Sequence, residues 1–403
     1  MSRIHSEILR GLVALGMAGA AAGCTTDEVV FVPRSADPVF TSYVAIGNSI
    51  TAGFQSDGIN DSTQQRSFAV LLAKQMSTRF AYPSLAGRGC RPPIANFQTQ
   101  ARVGTGSTAT TCDLRNPSLV TDILNSVAVP GAGSQDVDSA TGPAGSVLTT
   151  LILGGKTQIA RALEAQPTFA TVWIGNNDVL GPAISGLPAG ATPQNTFVAN
   201  YSKAINHLTT GAPGIKGVLI GVVQVASAPV LFDAKALLNA TFLAGISQAA
   251  GRSIAIDPTT CTPTTTSLIG FPIVALIRAG THPPAIACSP VTSGPFAGLG
   301  QQLVLDAAEQ TTVTTIINGY NNYIKAKADS IGFGYWDPNP TLQQLRTSGA
   351  ILPVPNLASA TTPFGTAISL DGIHPSSSTH ILIANSLIDV INQKYGTSVQ
   401  KIQ

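Results

Sequence analysis

The stretch Tyr43-Val44-Ala45-Ile46-Gly47-Asn48-Ser49-Ile50-Thr51-Ala52-Gly53 decides how we interpret the fold. Its first four residues do not alternate between apolar and polar, which predicts a short buried strand. The strand runs directly into Gly-Asn-Ser, residues that favour a tight turn. In parallel α/β sheets, ligands bind just beyond the carboxyl ends of the strands. A serine there is well placed for a nucleophile, but strand-turn-serine is a common arrangement and also fits a purely structural role.

Three other stretches end in residues that carry chemistry. The apolar run 171–174 is followed by Gly175-Asn176-Asn177-Asp178, so a second buried strand is predicted to end in a polar turn. Leu370-Asp371-Gly372-Ile373-His374-Pro375 places an acid and an imidazole three residues apart, ahead of an amphipathic helix. A weaker stretch, Val129-Pro130-Gly131-Ala132, follows a short apolar run. Each stretch alone is poor evidence, whereas their combination is specific.

Together with Ser49, these stretches resemble the four conserved blocks of the SGNH hydrolases, also called the GDSL esterase and lipase family. The blocks occur in the family's order and span residues 43–380. The resemblance implies an α/β fold, a three-layer α/β/α sandwich whose central parallel sheet has about five strands in a flavodoxin-like arrangement. It also implies a serine ester hydrolase. The chain has Asn48 where the family usually has Asp, which leaves open whether a carboxylate's contribution to the field around the site is lost.

Ser49, Asp371 and His374 are the candidate catalytic residues. A serine hydroxyl is a weak nucleophile and needs a base within hydrogen-bonding reach. Imidazole titrates near neutrality, so His374 can take the proton and return it. Asp371 is expected to hold the other ring nitrogen, as the acid does in Ser-His-Asp sites. Pro375 disfavours helical geometry at His374, which keeps the ring on the loop.

The resemblance assigns the oxyanion hole to the backbone N–H of Ser49, the backbone N–H of Gly131 and the side-chain amide of Asn177. A glycine suits this role because, without a Cβ, it lets substrate approach the main chain closely. An asparagine suits it because its NH₂ group donates hydrogen bonds without adding charge.

The other histidines are weaker candidates for the base. His282 also precedes a proline, but Ala279 stands three residues earlier, where the acid would be needed. His207 and His380 fall on predicted helices, where a surface or core role is the simpler interpretation. His5 lies in the segment that we expect to be removed.

Several alternative chemistries find little support. Residues 154–157, Gly-Gly-Lys-Thr, resemble the end of a phosphate-binding loop, but Thr150 stands where its first glycine belongs. The Gly-x-Ser-x-Gly elbow of α/β-hydrolases does not occur. No Cys-x-x-Cys or His-x-x-x-His pair suggests a metal, and we predict neither a metal nor a cofactor. Asp178 is better explained as a structural turn residue than as a second base.

The N-terminus resembles a bacterial lipoprotein signal. Residues 1–23 combine a short basic start with a small, apolar run too short to cross a bilayer as a helix. The run ends Ala21-Ala22-Gly23-Cys24, which resembles the lipobox cut before a lipidated cysteine, although leucine is commoner at the first of these positions. We therefore expect membrane attachment through Cys24, a tether over 24–40, and a location in the bacterial cell envelope, on the outer membrane or periplasmic side. Simple secretion is the alternative.

Without Cys24 an even set of four cysteines remains: Cys90, Cys112, Cys261 and Cys288. In an oxidising envelope these residues could form two disulfides, for which three pairings exist. Proximity along the chain favours Cys90 with Cys112 and Cys261 with Cys288. The charge balance is nearly even, with 22 Lys and Arg against 20 Asp and Glu. Nucleic acid is therefore not an expected partner, because phosphate binding needs a clustered basic surface.

The catalytic domain is predicted to cover residues 41–403, with helices and buried strands alternating as in a parallel three-layer sheet. Helices are predicted at 67–76, 157–165, 197–208, 307–331 and 377–395, and strands at 127–129, 169–174, 217–223 and 332–336. Residues 230–302 break the alternation and predict a loop-rich insertion. This segment either caps the sheet and lines an acyl pocket or packs on itself as a surface decoration.

The expected function is hydrolysis of carboxylic esters through an acyl-enzyme, with acyl lipids as one substrate class. Removal of O-acetyl groups from a carbohydrate is the alternative within enzymes. A non-catalytic surface-binding protein built on the same fold is the alternative of another class.

Overall fold

The computed structural model describes residues 37–104, 106–114, 123–143 and 146–403. The predicted signal segment 1–23, Cys24 and most of the predicted tether lie outside this part of the chain. The last residues of the tether do not form a free linker. Pro38–Phe40 makes a turn of 3-10 helix, and the Phe40 ring packs edge-on against Phe169 with its side chain buried. Ordered packing therefore includes residue 40.

The central sheet is parallel, as predicted. The strands of the molecule are β1 (Tyr43–Gly47), β2 (Phe169–Trp173), β3 (Lys216–Ile220), β4 (Leu231–Asp233), β5 (Ala255–Ile256), β6 (Leu268–Gly270), β7 (Ala285–Ile286), β8 (Val304–Leu305) and β9 (Gly334–Trp336). Four of them form the central sheet in the order β1-β2-β3-β9. In each pair the strands run in the same direction, so their carboxyl ends meet at one edge.

The predicted strand at 127–129 occupies the fifth position of the sheet, beside β1. Ser126 forms a parallel bridge with Ala45. The N–H groups of Val127 and Val129 donate to the carbonyls of Ala45 and Gly47 at 3.0 and 3.1 Å. The spatial order therefore follows the flavodoxin-like pattern, with the second segment of the chain outside the first.

Helices cover both faces of this sheet. The α-helices are α1 (Ser49–Ala52), α2 (Asp61–Gln65), α3 (Phe68–Gln75), α4 (Val147–Leu153), α5 (Gln158–Leu163), α6 (Asn177–Ile184), α7 (Gln194–Gly211), α8 (Ala240–Ala250), α9 (Pro272–Ala279), α10 (Ala307–Ile331), α11 (Asn339–Thr347) and α12 (Ser377–Tyr395). On one face α3 and α12 pack against Tyr43 and Ala45. On the other, α5, α7 and α10 pack against Val44 and Ile46. Because both faces are covered, β1 is buried at every residue, as its unbroken apolar run predicts.

The insertion has more regular structure than its sequence predicts. It holds an antiparallel sheet in the order β4-β6-β8, a small parallel pair β5-β7, and the helices α8 and α9. Strand β8 carries this unit to residue 305, slightly beyond the predicted end at 302. In the described part of the chain, no helix has both the length and the apolar character to cross a bilayer.

Both favoured disulfide pairings are confirmed. Cys90 is bonded to Cys112 beneath the loops that follow β1, and Cys261 is bonded to Cys288 inside the insertion. Each bridge closes a loop of the chain and stabilises the fold mainly by restricting the unfolded state.

Candidate active site

Ser49 is the first residue of α1, directly beyond the carboxyl end of β1. Asn48 begins this helix, because its Oδ1 accepts a hydrogen bond from the N–H of Ile50 at 3.1 Å. Gly47 allows α1 and β2 to approach the chain closely at this point, since a Cβ there would lie 2.3 Å from Thr51 Oγ1 and 2.8 Å from the carbonyl of Trp173. The uncharged Asn48 thus keeps the turn that an aspartate would make.

His374 lies within hydrogen-bonding distance of Ser49. Its Nε2 is 2.8 Å from Ser49 Oγ, although 325 positions separate the two residues in the chain. The histidine stands on the loop before α12, whose first turn is capped by Ser376. The predicted effect of Pro375, which keeps this ring outside the helix, agrees with that position.

Asp371 holds the opposite edge of the imidazole. Its Oδ2 is 2.8 Å from His374 Nδ1, so this nitrogen carries the hydrogen when Nε2 accepts from the serine. Burial raises the pKa of the Asp371 carboxyl, but the charge of His374 and hydrogen bonds from His374 and Asp57 outweigh burial. The net result is a pKa well below the usual range. Asp371 is therefore ionised at neutral pH.

A loop that the sequence did not single out supports Asp371. The backbone N–H of Asp57 donates to Asp371 Oδ2 at 2.8 Å, the same oxygen that receives the histidine. Asp57 and its neighbour Ser56 both have a positive φ, a conformation unusual for residues with side chains. Ser56 is tied to the histidine loop, because its N–H donates to Ser369 Oγ at 2.9 Å.

Arg102 holds this strained loop in place. Its guanidinium donates to the carbonyl of Asp57 at 3.0 Å and to the Asp57 carboxylate at 2.6 Å, and it also donates to the carbonyl of Pro92. Its side chain is buried, whereas Arg91, which contacts the same carboxylate, is largely exposed. The pairing of arginine with a carboxylate and two carbonyls uses its forked donor geometry.

The oxyanion donors assigned by resemblance lie at the same edge of the sheet. Asn177 is the first residue of α6, and its Nδ2 donates to the carbonyl of Ala132 at 2.9 Å. That NH₂ group has a second hydrogen, which is available to a ligand. Gly131, next to Ala132, has φ +89°, which a residue with a Cβ rarely adopts. The N–H of Ser49 lies in the first turn of α1, where the helix itself offers no acceptor.

Asp178 clamps the turn that follows Gly131, as its interpretation as a structural residue predicts. Its carboxylate accepts hydrogen bonds from the N–H and the hydroxyl of Ser134 at 2.8 and 2.5 Å. Burial raises its pKa, and the hydrogen bonds from Ser134 oppose that rise. The neighbouring side chains of Asn177 and Asp178 therefore fix the two donor-bearing segments relative to each other.

The remaining histidines contact other groups. His207 pairs with Asp138 on the surface, and His282 contacts the carbonyl of Pro283. His380 is fully buried, and its Nδ1 accepts from the N–H of Phe68 at 3.1 Å. The ring of Phe54, unnoticed in the sequence, lies 4.9 Å from that of His374 and shields it from solvent. Among the described residues, no group of three or more His, Cys, Asp or Glu side chains is placed to hold a metal ion.

The chain matches a known protein family. A family model described as GDSL-like Lipase/Acylhydrolase matches residues 43–387. Among curated protein sequences, no match is found.

Solved structures similar to this chain include two esterases that act on carbohydrates and one lipase. An acetylxylan esterase from Geobacillus stearothermophilus is 10% identical, with 90% of this chain and 97% of that chain covered and a TM-score of 0.37. An extracellular lipase from Streptomyces rimosus is 14% identical, with coverages of 88% and 99% and a TM-score of 0.34. An active-site mutant of a family two carbohydrate esterase from Clostridium thermocellum is 12% identical at a TM-score of 0.34. There the match covers 89% of this chain and 65% of that chain. These likenesses are too distant to bear on substrate or site.

Proposed function

The chain belongs to the GDSL-like lipase/acylhydrolase family, and from this premise we propose that it is a serine hydrolase that cleaves carboxylic esters through an acyl-enzyme on Ser49. One observation carries the proposal. A continuous hydrogen-bonded path runs from Ser49 Oγ through the two ring nitrogens of His374 to the Asp371 carboxylate. This arrangement activates a hydroxyl as a nucleophile.

In the first half-reaction, Ser49 Oγ attacks the carbonyl carbon of the ester while His374 Nε2 takes its proton. The carbonyl oxygen becomes an oxyanion and accepts hydrogen bonds from the N–H groups of Ser49 and Gly131 and from Asn177 Nδ2. The intermediate then collapses, the ester C–O bond breaks, and His374 returns the proton to the leaving alcohol. Each oxyanion donor of this kind is worth on the order of 10²–10³ in turnover.

In the second half-reaction, water replaces the alcohol. His374 takes a proton from the water, whose oxygen attacks the acyl carbon, and the same donors stabilise the second oxyanion. Collapse breaks the bond to Ser49 Oγ, which regains its proton from His374, and releases the carboxylic acid. Asp371 keeps its charge throughout and stabilises the imidazolium present in both intermediates.

A fluorophosphonate probe tests this proposal, because it reacts with an activated serine and needs no knowledge of the substrate. We expect the protein to be labelled and to hydrolyse p-nitrophenyl acetate, and we expect Ser49→Ala to lose both properties. Ser330→Ala, on the exposed surface of α10, is the matched control and should behave as the native protein. A folded protein that neither labels nor hydrolyses the ester would instead support the non-catalytic binding protein.

Within ester hydrolysis, two substrate classes compete: acyl lipids and acetylated carbohydrates. A series of p-nitrophenyl esters from acetate to palmitate separates them by the room available for the acyl chain. Activity that rises with chain length would favour lipids, and activity confined to acetate would favour carbohydrate deacetylation. The carboxamide-bearing groove between the insertion and the main domain favours the second class.

We also propose that the mature protein begins at Cys24 and is lipid-anchored in the bacterial cell envelope. The proposal is supported by the sequence Ala21-Ala22-Gly23-Cys24 after a short apolar run. Replacing Cys24 with alanine should move the protein from the membrane fraction to the soluble fraction of cells. Unchanged partitioning would contradict the anchor, and a native protein recovered from the medium would favour simple secretion.

A further inference from the structure

Most of the apolar side chains of the insertion pack against one another within the insertion. Ile269 of β6, Ile273 and Ile277 of α9, and Phe232 of β4 are buried in a separate core closed by the Cys261–Cys288 bridge. The sequence leaves two interpretations of residues 230–302, a cap that lines an acyl pocket and a segment that packs on itself. Since most of these side chains already pack against one another, they are not available to line a pocket for a long acyl chain.

Between the insertion and the main domain lies a groove that is lined by both polar and apolar side chains. One part has a volume of about 610 Å³ and lies where α8 and α9 face the loop around Phe97 and Gln98. The other has a volume of about 930 Å³ and lies where α8 faces residues 354–358. The two parts share Gln98, Gly245, Gln248 and Leu357, so they form one continuous depression. We call it the amide groove.

The polar side chains of the amide groove are mostly carboxamides with unused hydrogen-bonding capacity. The NH₂ group of Gln98 donates to the carbonyls of Leu357 and Ala358, which fixes the side chain. No residue in the described part of the chain donates to its Oε1. Asn356 accepts from the N–H of Ala358, and its NH₂ group donates to no described residue. The exposed Gln248 makes no side-chain hydrogen bond within the described chain. The groove therefore presents both acceptors and donors.

The described lining of the amide groove carries almost no charge. Asp and Glu are absent from it, and its single cation, Arg278, already donates to the carbonyl of Ala249. A cationic ligand would therefore find no anionic partner in this lining, and a ligand with several negative charges would find a single cation. A long acyl chain would contact the apolar part of the lining, such as Phe97, Phe271 and Leu357, but would leave the carboxamides without hydrogen-bond partners.

The groove is joined to the proposed catalytic loop. Phe97 and Phe271, whose rings lie 5.8 Å apart, line its 610 Å³ part. The N–H of Phe271 donates to the carbonyl of Val230, and the N–H of Val230 donates to the carbonyl of Gly372, two residues before His374. Two successive backbone hydrogen bonds therefore connect the groove wall at Phe271 to the loop that carries His374.

We propose that the amide groove binds the sugar chain of a neutral oligosaccharide whose ester is cleaved at Ser49. The proposal rests on the proposed ester hydrolysis and adds its substrate class. Sugar hydroxyls both donate and accept, as carboxamides do, and the apolar faces of sugar rings pack on aromatic rings. The groove supplies both kinds of surface and a volume typical of ligand sites.

Binding is tested first without catalysis. In Ser49→Ala protein, calorimetry should detect saturable binding of cellotetraose or xylotetraose and weaker binding of tetragalacturonate, whose four carboxylates would meet one cation, Arg278. Gln248→Ala should weaken binding about two- to tenfold, the effect of losing one or two neutral hydrogen bonds. Ala244→Trp, on the exposed face of α8 that lines the groove, should abolish binding. Gln393→Ala, an exposed glutamine on α12, is the matched control and should bind normally.

Catalysis is tested second, in the protein with Ser49 intact. We expect Gln248→Ala to raise KM for an acetylated tetrasaccharide, whereas the matched control Gln393→Ala should keep the native KM and the native hydrolysis of p-nitrophenyl acetate. If neither neutral tetrasaccharide binds, or if the groove variants bind as the native protein does, the proposal is wrong even though p-nitrophenyl acetate is hydrolysed. If the sugar binds but no ester is cleaved, the ester hydrolase proposal fails while the groove assignment survives.

Discussion

Asp371 accepts hydrogen bonds from backbone N–H groups as well as from His374, so its position is fixed by the main chain. The substitution Asp371→Asn keeps the size of the side chain but removes its charge and reverses the preferred tautomer of His374. We expect kcat for p-nitrophenyl acetate to fall by about 10⁴ with little change in folding. Steady-state kinetics and circular dichroism check this expectation. A loss of less than about tenfold would show that Asp371 does not orient the base.

The imidazole of His380 is buried, and the stability of the folded protein depends on this ring being neutral. Burial lowers its pKa from 6.5 to about 3, with a further lowering from the charge of His374. Between pH 6.5 and about 3, His380 is protonated in the unfolded chain but neutral in the folded chain. The stabilising contribution is therefore complete above pH 6.5 and is lost as pH falls toward 3, at up to about 1.4 kcal/mol per pH unit.

Urea unfolding at several pH values measures this effect. Relative to the native protein, His380→Asn should flatten the fall in the free energy of unfolding between pH 6.5 and 3, because asparagine does not titrate. Its amide oxygen can still accept from the N–H of Phe68, which limits the loss at neutral pH. An unchanged slope would show that other groups cause the acid sensitivity.

The residues expected to carry the chemistry were accessible from sequence because they follow strands or stand near a helix start. Ser49 comes directly after β1, Asn177 comes shortly after β2, and His374 precedes the capped start of α12. Asp57 and Arg102 were not accessible in this way. Their roles depend on a left-handed backbone and on contacts across 45 positions of irregular chain, which leave no periodic pattern in the sequence.

At the scale of elements, the loop 55–58 acts as a support for the proposed catalytic acid, and Arg102 is its buried anchor. Arg102→Met removes the buried donors to the carbonyl and the carboxylate of Asp57, so the hydrogen bond from Asp57 to Asp371 should weaken. We expect kcat to fall about tenfold to a hundredfold with little change in KM, the size expected from a small misplacement. The more exposed Arg91→Met is the matched control and should have little effect. Partial recovery in Arg102→Lys would further support a positioning role.

Long elements were predicted well and short ones poorly. The helix predicted at 377–395 is α12, and the one at 307–331 is α10, whose capping box of Asp306 and Glu309 marks its start. In contrast, α6 contains Pro182, which argues against a helix in sequence. The short strands of the insertion, only two or three residues long, are specified by packing within its own core, a tertiary effect that sequence patterns do not report.

At the scale of the whole molecule, the two disulfides should have different consequences. Removing Cys261–Cys288 by serine substitution should cost about 2–4 kcal/mol in the stability of the insertion. Removing Cys90–Cys112 should also reduce activity, because the N–H of Cys90 bonds the carbonyl of Ile59 beside the loop 55–58. Thermal unfolding and p-nitrophenyl acetate hydrolysis distinguish the two variants. Equal losses of activity in both would contradict this division.

The 325 positions between Ser49 and His374 also set when during biosynthesis the enzyme can act. At about 5–20 residues per second, the ribosome delivers the histidine roughly 16 to 65 seconds after the serine. Until then the nascent chain carries a nucleophile without its base. Hydrolysis at Ser49 therefore cannot begin before nearly the whole chain has been synthesised.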